Sequence, residues 1–129
     1  MSSSQAFYGA LATVSAGTTL QGIMQQTSVS GSNYSYKSSF AGYPASTALQ
    51  VNNVPQAYWA AETLEAYGIS NPSTQYPPNA KVAMSSIQIL KGSTNASISW
   101  TTAHASGATQ RATVVSNSSP GGEVDITFH

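Results

Sequence analysis

EVDITF, residues 123–128, is the stretch that decides the fold, because apolar and polar side chains alternate along it. Three apolar side chains occupy every second position: Val124, Ile126 and Phe128. This is the period of a β-strand with one buried face. Glu123 and Asp125 lie between them, so we expect both on the outer face of the strand, where charge also discourages edge-to-edge pairing.

Alternation of the same kind precedes this strand in three places: KVAMSSIQIL (81–90), ASISWTT (96–102) and QRATVVS (110–116). The segments between them are short and rich in Gly, Ser, Asn and Pro, as in hairpin turns. Residues 81–129 are therefore predicted to form a four-stranded antiparallel β-meander with Trp100 in its core. The alternation changes phase between Met84 and Ile87, which predicts a β-bulge near Ser85 and Ser86.

The first half of the chain has a different pattern. QAFYGALATVSAGTTLQGIMQQ (5–26) carries apolar residues at spacings near three and four, which favours an N-terminal helix. Its Gly and Thr content would also suit an extended arm laid on another subunit. TSVSGSNYSYKSSFAGYPAS (27–46) is interpreted as a loop with some strand character.

A second helix is predicted at residues 55–67, within NNVPQAYWAAETLEAYG (52–68). Pro55 suits a first helical turn and Gly68 a C-terminal cap. Tyr58, Ala61 and Leu64 would form its buried stripe. NPSTQYPPNA (71–80) is expected to be a rigid connector. The fold class is thus α+β, with one structural domain over 1–129 that comprises a helix- and loop-rich half (1–80) and a sheet (81–129).

Charge is scarce in this chain. Charged residues make up 6% of it and the formal net charge is zero, while Ser and Thr together number 35. No basic stripe exists for a phosphate backbone, so we expect no nucleic-acid partner. Apolar runs are too short for membrane insertion. A polar but uncharged surface repels copies of itself little, which favours self-association.

Candidate catalytic groups are equally scarce: the chain has two histidines, His104 and His129, four acids and no cysteine. Glu62 and Glu65 are interpreted as a solvated helix face, and His104 as an exposed loop residue. A hydrolase using His104 with Glu123 or Asp125 is the weakest hypothesis, since no nucleophile elbow occurs. We therefore predict no enzyme, no catalytic residues, no metal site and no cofactor.

Aromatic side chains are the remaining source of function. Exposed Tyr and Trp stack on sugar rings and anchor protein interfaces, whereas burial in a core poor in Leu, Ile and Val is the alternative. The candidate interface or ligand contacts are Phe7, Tyr8, Tyr34, Tyr36, Tyr43 and Trp59.

These features predict a non-enzymatic structural subunit of a repeating assembly, in a virion (phage head, tail or decoration protein) or in a surface filament. Its partners would be copies of itself or neighbouring structural proteins, and its location the virion or the cell surface. The plan of N-terminal helix, connector and terminal sheet is similar to the head domain of type IV pilins, although their apolar leader helix, its acidic residue and the cysteine pair of many pilins are all missing. Because the chain opens with Met-Ser-Ser-Ser-Gln, which lacks the features of a secretory leader, we favour the virion. A small carbohydrate-binding or adhesive module is the alternative function.

Overall fold

The computed structural model describes residues 8–63, 69–76, 81–104, 107 and 109–128. The chain divides into two compact units, Met1–Trp59 and Ala60–His129. The expectation of a single structural domain stays a prediction.

The first unit contains a three-stranded antiparallel sheet. Its strands are β1 (Gly22–Ser30), β2 (Asn33–Phe40) and β3 (Leu49–Val54), in the order β1-β2-β3. A two-residue turn joins β1 to β2, and Gly31 takes the positive φ of 61° that the first position of a type II′ turn requires. A 3₁₀ turn at Ala45–Thr47 precedes β3. The sheet thus leaves β1 and β3 as its two edges.

The prediction of an α+β fold with an N-terminal helix is wrong, because the described residues are nearly all in strands or irregular segments. Residues 8–21 contain no regular element, and 22–26 begin β1 instead. Within residues 8–26 the apolar spacing near three and four arises where an irregular segment joins a strand, and Gly17, Gly22 and the β-branched residues there weaken a helix. The similarity in plan to pilin heads depended on this helix and is therefore wrong as well.

The predicted helix at 55–67 is also contradicted. Residues 55–63 have no regular secondary structure, and Leu64 to Tyr67 lie outside the described residues. The good helix formers at 57–62 are overridden by contacts of the preceding segment with β2, since propensity is a weak determinant next to tertiary context. Instead, one helical turn, α1 (Pro72–Gln75), forms within the predicted connector.

The second unit contains the strands β4 (Lys81–Ile87), β5 (Leu90–Lys91), β6 (Thr94–Asn95), β7 (Arg111–Ser116) and β8 (Gly122–Thr127). β4, β8 and β7 form an antiparallel sheet in that order, and β5 and β6 form a separate two-stranded hairpin. The last strand is therefore the centre of its sheet.

The predicted four-stranded meander is corrected by this topology. Trp100 is half-buried in an irregular segment, and its backbone N–H donates to Asn117 Oδ1 at 2.7 Å. Only the β7–β8 hairpin follows the predicted order. Because β8 is central, Glu123 and Asp125 do not protect a strand edge. The bulge is confirmed: the β4–β8 register shifts between Met84 and Ile87.

The core of the second unit lies on the face of β8 that the alternation predicted. Three of its side chains are the buried apolar residues of the described chain: Val124, Ile126 and Phe128. Val82 and Ala112 flank Ile126 on β4 and β7. Phe128 stacks on Tyr76 with ring centroids 4.4 Å apart. This core is small and belongs to one unit only.

Candidate interaction surface

Strand register sorts the side chains of the first sheet into two faces. Directly opposed residues of an antiparallel pair lie on the same face. Tyr36 of β2 opposes Gln26 on one side and Val51 on the other, while Lys37 opposes Gln25 and Gln50. Propagating this register along the strands assigns each remaining residue to the face of Tyr36 or to the face of Lys37.

The face of Tyr36 is apolar. It carries eight large apolar or aromatic side chains from all three strands: Met24, Val29, Tyr34, Tyr36, Phe40, Leu49, Val51 and Val54. We call this set the apolar face. None of its members is fully buried, and Met24 is 77% exposed. A sheet normally covers such a face with another layer. Here the cover is incomplete: Met24, Val29 and Phe40 are exposed, and the other five members are half-buried.

The opposite face is polar except for Ile23, which opposes Ser39. Gln50 donates from its side-chain amide to Thr27 Oγ1 and to Asn52 Oδ1, both at 3.0 Å. Lys37 also lies on this face, and it is the one charged side chain in residues 1–59 of the sequence. The apolar face and both strand edges of the sheet are consequently uncharged.

Tyr34 and Tyr36 have a structural task at the apolar face. Their rings stack nearly parallel with centroids 6.4 Å apart. Tyr34 donates from its hydroxyl to Gln56 Oε1 at 3.2 Å, and the Ala57 N–H donates to the Tyr36 hydroxyl at 2.9 Å. The two tyrosine hydroxyls therefore hold Gln56 and Ala57, just after β3, and so position the start of the irregular segment that follows.

The other candidate aromatics are placed differently. Tyr58 and Trp59 follow the held segment and are 83% and 81% exposed. Tyr8 is exposed in the irregular segment before β1, whereas Tyr43 is half-buried and meets Phe40 edge to face. Phe7 lies outside the described residues. The structure thus brings Tyr34 and Tyr36 together, and places Tyr43 against Phe40 of the apolar face.

Charge concentrates instead on the outer face of the second sheet. Lys81 Nζ lies 2.8 Å from Asp125 Oδ2. The hydrogen bond to this carboxylate and its negative charge raise the pKa of Lys81 above its usual value, because both favour the protonated amine. Glu123 is half-buried on the same strand. The expectation that the acids of β8 lie opposite its buried side chains is confirmed.

Groups able to perform acid/base chemistry are dispersed. His104 accepts a hydrogen bond at Nε2 from the Ala112 N–H at 2.9 Å, so this imidazole holds the backbone of β7 at Ala112. Desolvation raises the pKa of the Glu62 carboxyl. Glu65 and His129 lie outside the described residues. Among the residues that the structure describes, no three His, Cys, Asp or Glu side chains cluster as metal ligands would.

The sequence predicts only two of the eight members of the apolar face as contacts, Tyr34 and Tyr36. The signal was present: Tyr34, Tyr36 and Phe40 alternate with polar residues in NYSYKSSF (33–40), and Leu49 and Val51 alternate in LQV. High Ser content obscured this period, because Ser is typical of loops.

No described helix is long and apolar enough to cross a membrane. In comparisons with protein-family models, curated proteins and solved structures, nothing matches this chain.

Proposed function

We propose that the protein is a non-enzymatic structural subunit of a repeating assembly, either a virion protein of a head, tail or decoration layer, or a subunit of a surface filament. The observation that carries this proposal is the apolar face of the first sheet. It presents apolar side chains from three strands and no charge. Burying such a face against protein stabilises an assembly in proportion to the apolar area removed from water.

The electrostatics of the first unit support contact between copies. Like charges facing each other across an interface between identical subunits repel, and a desolvated charge without a partner costs free energy. Lys37 is the single charged side chain of this unit and lies on its polar face. Burying the apolar face therefore involves neither repulsion between like charges nor desolvation of a charge. A partner rich in charge would gain no ion pairs there, whereas a second copy offers matching apolar side chains.

The proposal is tested by light scattering coupled to size-exclusion chromatography, over a wide range of protein concentrations. We expect a mass above the 13.3 kDa of one chain that rises with concentration. Val29→Lys places a charge on the apolar face and should shift the protein toward monomer. Ser30→Lys adds the same charge one residue later on the polar face, and should leave the mass unchanged. A monomer at every concentration, or equal effects of the two variants, would overturn the proposal.

A carbohydrate-binding module is the second candidate, favoured by the exposed adjacent rings of Tyr58 and Trp59. Aromatic rings that stand in water beside a held backbone suit stacking on the apolar faces of sugars. Titration with a panel of polysaccharides, followed by tryptophan fluorescence, tests this candidate. A saturable change that Trp59→Ala abolishes would support it, and flat responses across the panel would exclude it.

A further inference from the structure

The free edge of β1 offers an unpaired ladder of backbone groups. The Ala41 N–H donates to the Gln21 carbonyl at 2.9 Å, which makes Gln21 and Ala41 a hydrogen-bonded pair just before β1. Such pairs alternate with non-hydrogen-bonded ones along an antiparallel ladder. Ile23 and Gln25 therefore direct their backbone groups toward β2. Gly22, Met24 and Gln26 direct theirs away from the sheet.

These outward groups lie in the regular part of β1. The register with β2 runs without interruption from Gly22 to Gln26 and shifts between Gln26 and Ser28. All nine residues of β1 are exposed, so no described part of the chain covers this edge. Native proteins usually protect an exposed edge with charge, proline, a bulge or a very short strand. β1 has no charge and no proline, and its irregular position lies after Gln26, outside the run from Gly22 to Gln26.

The other sheet edges are less suited to strand addition. β4 begins with Lys81 and β7 with Arg111, so each carries a charge at its end. β3 is uncharged, but its register with β2 is interrupted between Val51 and Val54, and Pro55 follows it directly. Among the edges of the two described three-stranded sheets, β1 offers the longest regular run without charge.

We propose that β1 pairs antiparallel with β1 of a second copy, about a two-fold axis at Met24. This inference rests on the proposed function and names one of its interfaces. The pairs across the axis would be Met24 with Met24, and Gly22 with Gln26. Each of these residues directs its backbone groups outward, so the junction forms about six main-chain hydrogen bonds. The apolar faces of the two sheets then lie on the same side of the joined sheet, because opposed residues of an antiparallel pair share a face.

The register has a physical reason. An axis at Gln25 would place the irregular position Thr27 opposite Ile23, and an axis at Ile23 would leave Gln26 without a partner inside the strand. Only an axis at Met24 uses all five regular residues. It also joins the two apolar faces into one continuous surface on a six-stranded sheet. The uncharged sequence of β1 allows this pairing, since an axis through the strand brings each side chain close to its own copy.

Single-cysteine crosslinking tests the register, because the chain contains no cysteine of its own. Directly opposed residues have Cα atoms about 5.5 Å apart, within the range that a disulfide spans. We therefore expect Met24→Cys to form a disulfide-linked dimer under mild oxidation. Gln25→Cys is the matched control: it neighbours Met24 and is exposed, but its Cα would lie roughly 8 Å from its copy, beyond disulfide reach.

Met24→Pro gives an independent readout. Proline lacks an N–H and is tolerated where that group points away from a sheet. We expect this variant to keep the strand content of the wild type by circular dichroism and to lose at least tenfold in self-association. Gln25→Pro removes an N–H that faces β2, so it should lose strand content.

Efficient crosslinking of Met24→Cys with little from Gln25→Cys would support the proposal. Equal crosslinking of both variants, or crosslinking of neither, would overturn the two-fold pairing of β1. If β1 adds to β3 of another copy instead, neither variant should crosslink. Light scattering on the wild type distinguishes failure of this interface from failure of the proposed function. An assembling wild type with a failed crosslink removes this interface alone, while a monomeric wild type removes the proposed function as well.

Discussion

Phe128 is the most deeply buried of the apolar core side chains in the described residues. It is 2% exposed and stacks on Tyr76, whose hydroxyl accepts a hydrogen bond from Gln110 Nε2 at 2.7 Å. A ring in this position contributes both burial and aromatic contact. Phe40 of the first sheet is 46% exposed, so the same residue type performs different tasks in the two units.

Truncating these two phenylalanines should therefore have unequal effects. We expect Phe128→Ala to lower the free energy of unfolding by about 3–5 kcal/mol, because it removes buried area and leaves a cavity. Phe40→Ala should cost less than about 1.5 kcal/mol when measured at low protein concentration, where self-association does not contribute. Urea unfolding followed by circular dichroism provides both values. Similar losses in the two variants would mean that the apolar face is covered in the free chain.

The ion pair of Lys81 and Asp125 predicts a pH-dependent contribution. Since the pKa of Lys81 is raised on folding, its stabilisation is fully present below the unfolded value near 10.5 and is lost as pH rises through the higher folded value. We expect Lys81→Gln to lower the thermal midpoint at pH 8, and the difference from the wild type to shrink as pH rises through the folded pKa of Lys81. Lys91→Gln, on the exposed strand β5, is the control. A difference that persists unchanged at high pH would contradict the ion-pair origin.

At the scale of elements, irregular positions interrupt the register of the strand pairs. Asn53 and Ser86 have positive φ values of 57° and 56°, and both lie where the register of a strand pair shifts. Left-handed backbone is costly for any residue with a Cβ. Each bulge therefore has a local strain that the neighbouring pairs of the ladder hold in place.

Glycine at the β4 bulge should relieve this strain. We expect Ser86→Gly to raise the free energy of unfolding by about 0.5–1 kcal/mol, since glycine adopts positive φ without a steric penalty. Ser85→Gly, one residue earlier at an ordinary φ, should lower it by a similar amount through the entropy of the unfolded chain. Paired urea titrations would show the opposite signs. Destabilisation by both substitutions would mean that the Ser86 side chain contributes more than its backbone costs.

The elements differ in how far the sequence predicts them. β8 and the β4 bulge follow from strict alternation in EVDITF and from the phase change in KVAMSSIQIL, because a buried face constrains every second residue. β1 is misjudged, since it is an exposed edge strand whose apolar residues Ile23, Met24 and Val29 do not lie on one buried side. The pairing of β8 with β4 is a contact between distant parts of the chain, and local alternation contains no information about it.

The candidate surface is predictable to a similar degree. Tyr34 and Tyr36 stand out as aromatics in a polar segment, and they lie on the apolar face. Leu49, Val51 and Val54 become members of that face only through the register of β3 with β2. Register depends on turn geometry and bulges, which composition does not specify. Composition identifies an uncharged surface, and strand pairing determines which residues form it.

At the scale of the whole molecule, the distribution of charge separates two kinds of surface. Residues 1–59 contain Lys37 alone, while Lys81, Arg111, Glu123 and Asp125 all belong to the second sheet. The second sheet places Lys81 and Asp125 in an ion pair on its outer face and buries its apolar face in its own core. The first sheet leaves its apolar face without a full cover, and the proposed self-association would supply the missing part.

This arrangement makes a prediction about solution conditions. Ion pairs weaken as salt screens them, whereas apolar burial does not, and at about 1 M salt the screening length falls to about 3 Å. We therefore expect the protein concentration at half-association to change less than about twofold between 0.05 and 1 M sodium chloride. Sodium sulfate should lower it and dilute urea should raise it, because excluded salts strengthen apolar burial and urea weakens it. Sedimentation velocity at matched concentrations measures all three. A tenfold weakening in sodium chloride would place the contact on the charged second sheet instead, and would remove the apolar face from the interface.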